Sequence, residues 1–189
     1  MEIEISSEAK NKRLNMLVAI TVLLLSVNMA IYKVKDDNIV QAMQLAKADA
    51  VDTWSEYQAK KIKLHLTENT LRQAGMLAAS GAIKPDVLRK ESALLQAEIA
   101  RYKTELQQLQ QRAKKFEAQY DTLNYHDDQF DMSDAALSIA IAVAAVAVLT
   151  DVWFLLYFSW AAGAAGIVFG LAGFFGWQLH PDWLAALLS

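Results

Sequence analysis

The chain has 189 residues, 54% of them hydrophobic, a net charge of −3, no cysteine, and few turn-formers (seven Gly and two Pro). The lack of cysteine excludes a disulfide framework, a thiolate nucleophile and a zinc–cysteine site. All 18 Lys and Arg lie at or before Lys115, so residues 1–115, with 13 acids, carry +5, while residues 116–189 carry eight acids and no base.

Residues 1–13 form a basic stub containing Lys10, Lys12 and Arg13. Residues 14–35 form the first transmembrane helix. Its apolar run, Leu14 to Tyr32, spans about 30 Å as a helix, the thickness of a bilayer's hydrocarbon core. That core is longer than the apolar region of a signal peptide. No small-residue cleavage site follows before Lys33, so the segment reads as an uncleaved anchor. Thr21, Ser26 and Asn28 are the polar positions inside it. None is ionisable, so hydrogen bonding to a neighbouring helix is expected rather than the lining of a pathway.

Residues 36–131 read as an extramembrane coiled-coil hairpin. A first helix runs from Asp36 to about Ser80, with Ile39, Met43, Ala46, Ala50, Tyr57, Leu64 and Leu71 on one face. Gly81 suits the position after a helix C-terminus, and Pro85 suits the first turn of the next. The second helix, from Pro85 to about Phe130, carries Leu95, Ile99, Tyr102, Leu106, Leu109, Ala113, Phe116, Tyr120 and Leu123. That spacing alternates four and three, a coiled-coil seam. A turn centred on Ile83 sets Leu71 against Leu95, Leu64 against Tyr102, Tyr57 against Leu109, Ala50 against Phe116, and Met43 against Leu123. Large residues then oppose small ones where the seam must close. The hairpin would project about 65 Å. The same register places Lys33 and Lys35 beside Asp131 and Asp134.

Residues 132–179 supply transmembrane helices 2 and 3. Ser133 is expected to cap a helix that opens at Asp134 and ends at Thr150. Thr150 and Asp151 make a minimal turn. The third span, Val152 to about Gln178, carries Gly163, Gly166, Gly170, Gly173 and Gly176. Ala162, Gly166, Gly170 and Gly173 offer a small-residue face for helix packing or for an oligomer. Trp153, Tyr157 and Trp177 suit the two interfaces. Residues 180–189 form an interfacial C-terminal segment: His180-Pro181-Asp182 breaks the span, and Trp183, Leu184, Leu187 and Leu188 read as a short surface helix. The expected fold class is therefore all-α: three transmembrane helices with a long antiparallel coiled-coil hairpin inserted between helices one and two.

The strings RLNMLVAITV (Arg13 to Val22), YKVKDDNIVQAM (Tyr32 to Met43), YDTLNYHDDQFDMSDAAL (Tyr120 to Leu137), and GLAGFFG followed by LHPD resemble an uncharacterised bacterial inner-membrane family, domain of unknown function 4337. The resemblance covers most of the chain. It implies the same three-span layout and no assigned activity. In that family the short turn between the last two spans often carries bases. Here it reads Thr150-Asp151, and that orientation cue is missing.

The basic flank favours a cytoplasmic N-terminus, with Lys33 and Lys35 weakening the bias. The expected location is a bacterial inner (plasma) membrane, with the hairpin in the periplasm. One constellation carries candidate chemistry. Asp127, Asp131 and Asp134 recur at i, i+4 and i+7 on one helical face, flanked by His126 and Asp128. Carboxylates at that spacing can converge on a hard cation, or ring a pore mouth in an oligomer. The plainer account, preferred here, is pairing with Lys33 and Lys35 and capping of the next helix. His65 and His180 have no ligand partner at i+3 or i+4 and read as surface residues. Trp54 beside Tyr57 is expected to pack on the neighbouring helix or protomer rather than to form an exposed recognition patch.

No phosphate loop, catalytic serine arrangement or dinucleotide fingerprint occurs. Neither an enzyme nor a cofactor is expected. The bases alternate with acids along helices, so nucleic acid is not an expected partner. The partners expected are the bilayer, further copies of the chain, and a protein met through the hairpin. The function expected is that of a membrane-anchored oligomeric scaffold. The alternative is an oligomeric channel or transport component with a cation-binding acidic collar.

Overall fold

A computed structural model describes residues 11–81, 84–177 and 179. Among them there are three helices and no strand: α1 Lys12–Ala79, α2 Pro85–Thr150 and α3 Trp153–Phe175. Each holds a stretch long and apolar enough to cross a membrane. The chain divides into two compact units, Met1–Ala42 with Thr122–Ser189, and Met43–Asp121.

The residue pattern predicts spans and polar segments as separate helices, with a fresh start at Ser133-Asp134. The structure corrects this: α1 runs unbroken for 68 residues and α2 for 66. No Gly or Pro lies between residues 11 and 74, nor between 86 and 162. A switch from polar to apolar side chains changes what surrounds a helix without breaking its backbone ladder, whereas Pro would remove a rung from it and Gly would weaken it. Ser133 is therefore mid-helix and caps nothing. Its buried hydroxyl donates to the Gly166 carbonyl of α3 at 2.7 Å.

In the first unit α1 and α3 run parallel, with α2 antiparallel to both. At one end Leu14 and Val18 pack with Ala144, Ala147 and Leu156. Higher up, α3 turns its glycines toward the other helices. A Cβ placed on Gly163 would meet Leu25 and Ala140, and one on Gly166 would meet Leu137. On Gly170 it would meet the Tyr32 ring, and on Gly173 the Phe130 ring. Small residues allow this close approach. The stripe is thus 163, 166, 170 and 173, with Ala162 only half buried beside it. It is filled by the chain's own helices and so does not by itself call for a second copy. Ser159 Oγ donates to the Ala140 carbonyl at 2.7 Å, and Trp160 Nε1 donates to Thr21 Oγ1 at 2.8 Å. Asn28 instead bonds the Leu24 carbonyl of its own helix.

The turns follow local chemistry. Asp151 takes φ 58° between α2 and α3, a left-handed conformation that Asp tolerates better than most residues. Gly81 takes φ 78° just after α1. The turn centre expected at Ile83 lies outside the described residues, as do Lys10 and residues 180–189.

In the second unit, contacts pair rising numbers on α1 with falling numbers on α2. Lys47 Nζ lies 5.6 Å from the Tyr120 ring centre, and Trp54 Nε1 donates to Glu117 at 2.8 Å. Lys60 meets Glu105 at 2.8 Å and Glu68 meets Lys103 at 3.4 Å. The two segments therefore run antiparallel. Leu106, Leu109 and Ala113 are buried, and the seam positions before and after them in this unit, from Leu95 to Tyr120, are half buried. Trp54 also meets Tyr57 edge to face. His65 sits on the outer surface, 3.4 Å from Glu68.

Candidate functional site

The site lies in the first unit, where α1 and α2 leave their apolar stretches. Its floor is aromatic. Tyr32 and Phe130 lie 6.3 Å apart between ring centres, each covering one α3 glycine. One turn beyond Tyr32 comes Asp36, the surprise of the cluster. It follows Leu25 and Tyr32 and precedes Ile39 on the buried face of α1, and is only 4% exposed. A carboxylate on that face must be paired or protonated. One oxygen is accounted for: Lys33 Nζ donates to Asp36 Oδ2 at 2.8 Å. The other, Oδ1, is buried and meets no donor.

The hairpin register predicts Lys33 beside Asp131 and Asp134. Its ion pairs are instead with its own helix, Asp36 at 2.8 Å and Asp37 at 3.6 Å. Partners at i+3 and i+4 lie one turn away on the same face. Asp134 and Asp131 still feel its charge. Lys35 is placed 6.0 Å from the Phe174 ring centre.

The three acids singled out on α2 have unequal surroundings. Asp127 is half buried, while Asp131 and Asp134 are exposed. Loss of hydration, a hydrogen bond with Asp36, and the charges of Asp131, Asp36 and Asp128 push the Asp127 carboxyl up to about 7. Asp131 is also raised, first by lost hydration and then by Asp36, Asp128 and Asp134, against the opposing pull of Lys33. Its exposure lets solvent screen these effects. Among the described residues no group of three His, Cys, Asp or Glu side chains is placed to hold a metal ion. Across the helix pair, Asp127 meets Asp36.

Gln129 completes the cluster and has no counterpart among the residues singled out from the sequence. It is fully buried. Its Nε2 donates to the carbonyls of Trp177 and Leu179, at 2.8 and 2.7 Å. Its Oε1 lies 3.2 Å from His126 Nδ1. The amide thus satisfies two backbone carbonyls of the segment that follows α3. Gly176, at φ 70°, turns the chain there, and the Trp177 N–H returns to the Ala172 carbonyl. Asp36 could have been found in the sequence as an acid on an apolar stripe. Gln129 had no such signal, because its partners are backbone atoms 48 and 50 residues away.

A family model, Domain of unknown function (DUF4337), matches residues 14–176. The chain belongs to that family. No curated protein and no solved structure matches it.

Proposed function

We propose that this DUF4337 member is a membrane-anchored scaffold. Its three spans hold it in a bacterial inner membrane, and its α1–α2 coiled-coil hairpin is a spacer and docking surface outside the bilayer. One observation carries the reading: α1 and α2 each continue without a helix break from an apolar span into a long charged segment. A segment continuous with its anchor suits presentation of a surface better than enclosure of a substrate. Leu45, Ile62 and Leu66 of α1 and Leu94 of α2 are more than half exposed among charged neighbours, and offer apolar contact to a partner protein or a second copy. In this reading the N-terminus is cytoplasmic and the hairpin periplasmic. The glycine stripe, one motive for the channel alternative, is filled within one chain.

A cysteine at Ser80 should react with an impermeant thiol reagent in intact spheroplasts. Photo-cross-linkers at Leu66 and Leu94 should capture a discrete protein or another copy. Protection of Ser80 would reverse the orientation. A hairpin that captures nothing at either position would remove the docking role.

A further inference from the structure

Asp36 and Asp127 face each other across α1 and α2 within hydrogen-bonding reach. Two bare carboxylates have no proton with which to make that bond, and they repel. Asp36 Oδ2 already accepts from Lys33, while Oδ1 is buried without a donor. An O–H on Asp127 supplies the missing donor, and the pair becomes carboxylic acid and carboxylate. We propose that Asp36 and Asp127 are a proton-binding site, whose single shared proton holds α1 to α2 where they leave the apolar spans.

The surroundings favour the bound proton. Asp127 feels Asp36, Asp128 and Asp131, while Lys33 pairs with Asp36 and Asp37 of its own helix and feels Asp134 of α2. Acids outnumber the single base. α3 has no charged side chain. A cavity of about 10 Å³ touches Lys33, Asp36, Ser133 and Asp134. That is about the room one water needs, and it lies on the Asp36 side of the pair.

The elevation of Asp127 to about 7 sets the working range. The sign follows from linkage. Below the ordinary aspartate value of about 3.9, folded and unfolded chains both carry the proton, and the stabilisation is complete. Between there and about 7 only the folded chain keeps it, so stability is lost as pH rises, and the loss levels off above about 7. Asp131, also raised, adds a weaker contribution of the same sign.

The test uses the full-length protein in mild detergent, followed by infrared difference spectroscopy and by thermal unfolding from about pH 5 to about pH 8. A protonated-carboxyl band should be present at low pH and titrate away as one group. The unfolding constant should rise about tenfold or more over that range. Asp127→Asn keeps an N–H for Asp36 but cannot titrate. It should remove the band and flatten the pH profile near the low-pH wild-type level. Asp36→Asn does the same from the other side, and serves if the first variant folds poorly. Asp131→Asn should retain the band and move its midpoint down. A wild type with no such band, or with a flat stability profile, overturns the proposal. So does a band that survives Asp127→Asn or disappears with Asp131→Asn.

Discussion

The two units of this chain differ in how closely their helices approach. Between the spans the α3 glycines and Ala140, Ala144 and Ala147 let large side chains such as Leu25, Leu137 and Tyr32 seat directly against a neighbouring backbone, while Leu23, Leu149 and Phe154 point outward. In the 43–121 unit the interior is Leu64, Leu106 and Leu109 with smaller Ala46, Ala50 and Ala113, and charged side chains surround it. Water makes large apolar side chains valuable inside the second unit, because burial removes their surface from it. Lipid removes that incentive. What remains is close contact and hydrogen bonding, and glycine provides the closest approach. Glycine therefore has opposite meanings in the two units, and substitutions can test that.

The largest effect is expected at Gly166. A Cβ there would sit 2.8 Å from Leu137 Cγ and 3.1 Å from the Leu137 backbone nitrogen. Because backbone cannot step aside as a side chain can, Gly166→Ile should cost about 3 kcal/mol or more, or prevent assembly of the spans. Thermal unfolding in detergent measures this. A near-neutral Gly166→Ile would mean that α3 does not pack as described.

Next comes Leu109→Ala in the second unit. It removes a buried seam residue and should cost about 2 kcal/mol, the low end for a core leucine, because a two-helix layer can partly collapse. Substitution of the exposed Leu66 by Ala should be nearly silent in the same assay. If the two leucines behave alike, the assigned seam is wrong.

Ser159→Ala deletes a buried hydroxyl that donates to Ala140 and leaves that carbonyl with its helical bond only. About 1 kcal/mol is expected, since hydrogen bonds between membrane helices are individually modest. A loss of several kcal/mol would mean that Ser159 has a further role.

The smallest effect has the opposite sign. Gly75 lies on the exposed face of α1, and a Cβ added to it would have nothing within 4 Å. Gly75→Ala should therefore stabilise the helix by about 0.5–1 kcal/mol. Gly170→Ala should destabilise, because its Cβ would fall 2.2 Å from the Tyr32 ring. If both changes moved stability in the same direction, the contrast between the units would collapse.

Much of this was legible in the order of the residues. Apolar runs identified three helices able to span a membrane, and helical periodicity identified the all-α class found among the described residues. Those features depend on composition and on neighbours three or four positions away, which a sequence displays directly. Asp127, Asp131 and Asp134 were also visible as a set, but their surroundings were not. Tertiary structure decided that Ser133 lies inside a continuous helix and bonds α3, that Lys33 is held by Asp36, and that Gln129 closes the end of α3. It also decided that Asp127 meets a buried acid on α1. A carboxylate's protonation depends on lost hydration and on charges brought across from other helices. A sequence states that Asp36 and Asp127 are acids; only the packing of α1 on α2 leaves one of them needing the other's proton.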